Sequence, residues 1–164
     1  MLLYHPSKDA NHTCYRIISI LESVPENKIH KNILSLINFY YLFPSQLKAI
    51  EKWPRKGSND YNFIHSLKPE YEIMENPRRI FFELKDVLDC AVSFLIDKQI
   101  INYENNDIKL NVENIPKNIN VTLNNDDFRK DNLFRILTHE LIKQNIKGSN
   151  GLKMKTGLME YKYD

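Results

Sequence analysis

A chain of 164 residues with 42% hydrophobic and 27% charged side chains has the composition of a folded soluble protein and is not that of a disordered or membrane-spanning one. Its length allows one domain, or two small units sharing a core, to fold without metal or disulfide. A net charge of +2 is too small to identify or exclude a nucleic-acid partner, because phosphate binding needs a local basic patch. The start, MLLYHPSKDAN, has no basic region followed by a long apolar run, and no stretch nears the roughly 18 apolar residues that span a bilayer. A cytoplasmic protein without a membrane partner is expected. Cys14 and Cys90 lie among apolar residues with no CxxC neighbour, and both are expected to be buried free thiols in a reducing compartment.

Cys14, Ile17, Ile18 and Leu21 fall at i, i+3, i+4 and i+7, which predicts a first helix ending before Pro25, capped by Asp9 or Asn11. A second stripe of Ile29, Ile33, Leu36, Ile37, Tyr40 and Tyr41 predicts a helix that stops at FYYLFP, because Pro44 drives Phe43 out of the helical region. Ser45 is placed as the cap of a short third helix carrying Leu47 and Ile50. RKGSNDYN, residues 55–62, reads as a surface loop.

The clearest helix starts at Asn76-Pro77 and carries Phe81, Leu84, Val87, Leu88, Ala91 and Leu95 to about Asp97. Two β-prone runs follow, Ile100 to Tyr103 and Ile108 to Leu110. Between them Glu104-Asn105-Asn106-Asp107 suits a tight hairpin, since Asn and Asp tolerate left-handed backbone. A long helix followed by a hairpin is the outline of a winged helix. A weak strand is read at Ile119 to Leu123. A last helix with Leu133, Ile136, Leu137 and Leu141 is placed after cap residues in Asn124 to Asp127, ending near Asn145.

The expected architecture is therefore α+β and predominantly helical, one compact domain over 1–164. It divides into a helical part, 1–54, a winged-helix-like part, 75–145, and a C-terminal segment, 148–164.

Catalytic signatures fail on inspection. His139-Glu140 in THELIKQ resembles the start of a zinc-protease H-E-x-x-H, but the second ligand position holds Lys143, whose cation would repel the metal. A metal-dependent hydrolase would need ligands that the remaining histidines, scattered at 5, 12, 30 and 65, do not supply, and they are read as capping or surface residues. Lys155-Thr156-Gly157 reverses the Gly-Lys-Ser/Thr order of a phosphate loop, and no Gly-x-Ser-x-Gly elbow exists. No enzyme, metal or cofactor is expected.

Arg55-Lys56 in the loop and Arg78-Arg79 at the start of the long helix are candidate contacts for phosphate or for an acidic partner, or else locally paired surface cations. The arginines oppose the helix dipole there. Yet the outer face of that helix offers Glu83, Asp86, Asp89 and Asp97 against Lys85, which would repel a duplex in its groove. Contact with protein is the better reading of this helix.

The chain closes on GLKMKTGLMEYKYD, too rich in large apolar residues for a frayed tail. Leu152, Leu158 and Met159 alternate with charges, so the segment either packs on its own domain as a final strand or lays these side chains on a partner. Flexible Met and anchoring Tyr favour partner contact through Leu152, Lys153, Lys155, Leu158, Met159 and Tyr161.

The opening LLYHPSKDANHTCYRI, the segment INFYYLFP and the closing GLKMKTGLMEYKYD together resemble the small middle components of bacterial ABC-three-component systems, the group that includes Lamassu-type anti-phage defence. The resemblance implies a non-enzymatic subunit that joins an SMC-like or Rad50-like ATPase to an effector, often a nuclease, with DNA reached through the complex. By position it covers Tyr4, His5, Pro6, Phe39, Tyr40, Phe43 and Pro44, and at the other end Gly151, Leu152, Lys153, Thr156, Gly157, Leu158 and Tyr161. The aromatic FYYLFP positions are expected in the core. A free winged-helix DNA-binding regulator is the alternative.

Overall fold

The computed structural model describes residues 9–71 and 74–159. Its first helix, α1 (Ala10–Ser23), begins where the carboxylate of Asp9 accepts from the amides of Asn11 and His12, so Asp9 is the cap. Burial falls on Ile17, Ile18, Ile20 and Leu21, and this face packs on the long helix α4 (Pro77–Asp97). The side chain of Asn76 accepts from the Arg79 amide and Pro77 occupies the first turn, as its preset φ allows.

Residues 28–30 depart from the expected second helix. Ile29 lies in a strand, β1 (Lys28–His30), and the helix α2 (Lys31–Leu42) starts after it, with the imidazole Nδ1 of His30 accepting from the Asn32 amide. Three residues are too few to announce a strand by alternation, and Ile29 matched the helical stripe by chance. Downstream, Phe39 and Tyr40 are core residues, at 1% and 2% exposure, and Phe39 meets Phe81 of α4 edge-on at 6.0 Å.

Residues Pro44–Ala49 form a 3-10 turn instead of an α-helix, and Ser45 caps nothing. Its amide and hydroxyl both donate to the Glu70 carboxylate. The expected loop at 55–62 contains the start of a helix, α3 (Asn59–Ser66), capped by Ser58, which accepts from the Tyr61 amide. Polar composition hid this helix because it buries only Ile64.

The hairpin follows α4 as expected, with β2 (Ile101–Glu104) and β3 (Asp107–Leu110) joined by Asn105 and Asn106, both at positive φ. β1 then pairs antiparallel with β3, giving the order β1-β3-β2, in which Ile29 faces Ile108 and Ile101 faces Leu110. The segment expected as a weak strand is a helix, α5 (Lys117–Asn125). Ile119, Val121 and Leu123 alternate in sequence, yet only Leu123 is buried and Val121 is 60% exposed, so a strand face would have had no core to cover.

The last expected helix begins later than its assigned caps, at α6 (Asn132–Arg135), and continues through a wide turn, Ile136–Glu140, into a 3-10 turn, Leu141–Lys143. Ile136, Leu137 and Leu141 are fully buried. A short helix, α7 (Leu152–Thr156), ends the described chain. Among the described residues no helix is long and apolar enough to cross a membrane.

The two thiols differ in setting. Cys14 is half-buried with its Sγ 4.0 Å from the Ala91 carbonyl, and burial pushes its pKa up, whereas Cys90 is exposed because the α4 stripe of Leu84, Leu88, Ala91 and Leu95 turns position 90 outward. The expectation that both are buried is corrected for Cys90. Native protein is expected to take up one maleimide rapidly at Cys90 and a second slowly at Cys14, read by mass spectrometry; equal rates at both would contradict this arrangement.

Three tyrosines tie the helices together at the same core. Tyr15 donates to Asp126 at 2.7 Å, and Tyr41 meets Phe128 at 4.6 Å between ring centroids. Burial raises the pKa of Tyr15, Tyr40 and Tyr41, that of Tyr41 to about 12. Unfolded tyrosines ionise near 10, so the unfolded chain loses these protons first. The stabilisation is complete below about pH 10 and is lost as pH rises through the folded values. A melting temperature that falls steeply above about pH 10 is the expected result; one that stays level as pH rises through about 12 would refute it.

Candidate functional site

The C-terminal segment is fastened to the domain by its main chain. The amides of Leu152 and Lys153 donate to the carbonyls of Asn145 and Ile146 at 2.7 and 3.0 Å, and the Lys155 carbonyl accepts from the Glu51 amide at 3.0 Å. Gly157, at φ +64, ends α7 in the left-handed conformation, and its carbonyl accepts from Arg78 Nε at 3.3 Å. Gly151 sits so close to the preceding turn that a Cβ there would lie 2.5 Å from the carbonyl oxygens of both Ile146 and Lys147.

This places the candidate contact residues in two groups. Leu152, at 0% exposure, and Leu158, at 5%, belong to the protein's own core, so neither offers a side chain to a partner. Lys153, Lys155 and Met159 are half-buried at the surface, and Met154 is 57% exposed. Tyr161 lies outside the described residues, as do Tyr4, His5 and Pro6. The segment packs on its own domain, as one of the two readings held, but as a helical turn and not as a strand. The main-chain bonds from Asn145 and Ile146 to α7, rather than a sheet edge, decide its form.

The basic candidates are all exposed and not gathered in one element. Arg55 and Lys56 precede α3, and Arg79 pairs with Glu83 at 3.0 Å, while Arg78 reaches back to the tail. On the outer side of α4, Glu83, Asp86, Asp89 and Asp97 are exposed, joined by Phe94 at 52%. His139 engages the Thr138 hydroxyl at 2.8 Å, and Glu140 pairs with Lys143 at 3.2 Å and Arg135 at 3.4 Å. These bonds account for both members of the His-Glu pair locally.

Sequence reasoning missed a concavity. A cleft of about 840 Å³ is bordered by β1, the start of α2 and the strap 142–147, and it shares Lys31, Asn32, Ile146 and Lys147 with a smaller hollow of about 290 Å³ under α4 and the tail. Lys28, Lys31, Lys85, Lys147 and Lys153 line the two hollows together, and among the described residues the lining contains no Asp or Glu. Ile29, Ile33, Ile142 and Ile146 give the larger one an aliphatic floor. The lysines come from separate elements between positions 28 and 153, so no run in the sequence announces them; only the fold assembles the stripe.

The geometry as a whole defines an α+β, mainly helical protein whose distinctive features are surfaces: an acidic helix face, a lysine-lined groove and a tail locked to the domain. The chain belongs to the family described as ABC-three component (ABC-3C) system Middle Component 5, whose model matches residues 2–164. The family description places the chain as a middle component of a multi-component system, which suggests an accessory role there. Comparison with curated proteins and with solved structures finds no match.

Proposed function

We propose that the protein is a non-catalytic bridging subunit that links an SMC-like or Rad50-like ATPase to a DNA-targeting effector in anti-phage or anti-plasmid defence. Family membership over nearly the whole chain supports the reading, and the observation that carries it further is the outer face of α4. The order α1-β1-α2-α3-α4-β2-β3, with strands arranged β1-β3-β2, supports a winged-helix reading in which α3 is an insertion and α4 takes the position of the groove-reading helix. That helix presents exposed Asp86, Asp89 and Asp97 beside exposed Phe94, a surface that repels phosphates and suits a protein with a basic, apolar patch.

Co-expression with the other two components of the system tests the proposal. The ATPase is expected to co-purify with the wild-type chain and to be lost or weakened with Asp86→Lys/Asp89→Lys. A truncation after Ser149 is a poor probe, because it removes Leu152 and Leu158 from the core. Absence of the ATPase from the purified wild-type material would sink the bridging role.

The four exposed cations Arg55, Lys56, Arg78 and Arg79 favour a second reading, a free winged-helix DNA-binding regulator. Duplex binding by the isolated protein that falls steeply with salt and is lost in Arg55→Glu/Lys56→Glu would establish it in place of the first.

A further inference from the structure

The groove identifies its occupant by charge and by backbone. Five lysines line it with no carboxylate among its described lining residues, in a chain whose totals of 23 Lys and Arg and 21 Asp and Glu are nearly balanced. Among the described residues, Lys28, Lys85 and Lys147 have no carboxylate within ion-pairing distance, and Lys31 rests its Nζ 5.9 Å over the Tyr103 ring. Lysines held around one concavity repel one another, so an anionic occupant stabilises them by cancelling that repulsion.

The floor between them is aliphatic. Ile29 and Ile33 are 6% and 4% exposed and Ile142 and Ile146 are half-buried, so an occupant made only of phosphate would leave these surfaces unmatched. β1 is an edge strand, paired with β3 alone among the described residues, and all three of its residues line the cleft. An edge strand offers main-chain donors and acceptors to a further strand. In an extended chain successive side chains point to opposite faces, so alternating residues can place apolar groups on the floor and carboxylates at the lysine rim.

We infer that this groove binds an extended segment of a partner protein in which acidic and apolar residues alternate, added as a strand beside β1 with its carboxylates among Lys28, Lys31, Lys85, Lys147 and Lys153. The inference rests on the bridging reading, since it names the surface through which one partner is held. It also gives the tail a role: Lys153 and Met159 form one wall of the groove, so the closing segment acts as part of a receptor and not as an arm.

Two measurements separate the outcomes. In the first, fluorescence anisotropy of the full chain uses a labelled peptide alternating Glu with Val, the same peptide with Lys for Glu, and a labelled DNA duplex. The acidic peptide is expected to bind, the basic peptide and the duplex not, and Lys28→Glu/Lys147→Glu to weaken binding at least about tenfold at moderate salt. Equal binding of acidic and basic peptides, binding unaffected by the charge reversal, or binding of duplex but not peptide would each overturn the inference, the last in favour of a nucleic-acid groove. Self-association of the free protein abolished by both Lys28→Glu/Lys147→Glu and Asp86→Lys/Asp89→Lys would also overturn it, because a second copy's α4 face would then be the occupant.

In the second, the same lysine variant is co-expressed with the other two components. If wild type and variant assemble equally, the groove assignment fails while the bridging role stands. If wild type captures neither component yet binds the acidic peptide in the charge-dependent way, the bridging role fails and the groove remains a site for an acidic protein segment.

Discussion

Gly151→Ala is expected to release the C-terminal segment and to cost about 2–3 kcal/mol, the cost of forcing a methyl into a space already filled. Gly151 has φ −80 and ψ 163, values that alanine adopts freely, so backbone strain is not the cause. The obstacle is contact: a Cβ at 2.5 Å from two carbonyl oxygens cannot be accommodated without moving the 145–147 turn, and that turn accepts the amides of Leu152 and Lys153. Once it moves, Leu152 leaves the core and the wall made by Lys153 and Met159 goes with it. Hydrogen exchange gives a local readout, with protection of the Leu152 and Lys153 amides lost and that of the α4 interior kept. Gly157→Ala is the control. It meets nothing within 4 Å but sits at φ +64, so its expected cost is only the left-handed penalty of about 1–2 kcal/mol. Equal protection of the Leu152 amide in wild type and Gly151→Ala would show that the segment is not held by this close approach.

The elements legible in the sequence are those whose signals are local. Asn76-Pro77 and the stripe after it define α4 because cap, first turn and apolar spacing agree, and Asn105-Asn106 defines the hairpin because few other residues accept two successive positive φ angles. The misread elements draw their form from elsewhere. Lys28–His30 is a strand because β3 lies beside it, α3 forms although it buries one residue, and Ile119 to Leu123 winds into a helix because only Leu123 finds the core. The candidate site followed the same rule. The tail was recognisable as ordered from its own apolar content, but the identity of its receptor, this chain itself, depends on carbonyls at 145 and 146. The groove could not be read at all, since its lysines are brought together by β1, α2, α4, the 142–147 strap and the tail.

Removing a partner of Arg16, the one strongly buried cation among the described residues, is expected to produce the largest loss of stability. Arg16 is 4% exposed among the described residues, with Nε donating to Asn38 Oδ1 at 2.9 Å and Nη2 donating to Thr13 Oγ1 at 2.9 Å, and its guanidinium lies 6.0 Å from the centre of the Tyr41 ring. Burial lowers its pKa from the ordinary arginine value, with Tyr41 and Asp9 acting in the opposite sense, so the charge is held by neutral acceptors, an aromatic face and a carboxylate at longer range. Asn38→Leu takes away an acceptor while the cation stays, and a buried charge left short of partners costs about 3–5 kcal/mol. Arg16→Met removes the charge and takes the donor from Asn38 Oδ1, while the Thr13 hydroxyl keeps its bond to the Asp9 carbonyl, a smaller loss of about 1–3 kcal/mol. The double variant Arg16→Met/Asn38→Leu replaces both by apolar groups and is expected to be more stable than Asn38→Leu alone, so the two changes are strongly non-additive. For a chain of this size each kcal/mol is roughly 2–4 °C in melting temperature, which puts Asn38→Leu well within measurement. The consequence reaches the groove, because the Arg16–Asn38 bond fixes α2 against α1, and the first turn of α2 carries Lys31 and Asn32 into the cleft. Asn38→Leu is therefore expected to weaken binding of the acidic peptide as well as stability, and the double variant to restore part of both. Additive losses in the double variant would show that Arg16 and Asn38 act independently and that this bond does not set the angle between the two helices.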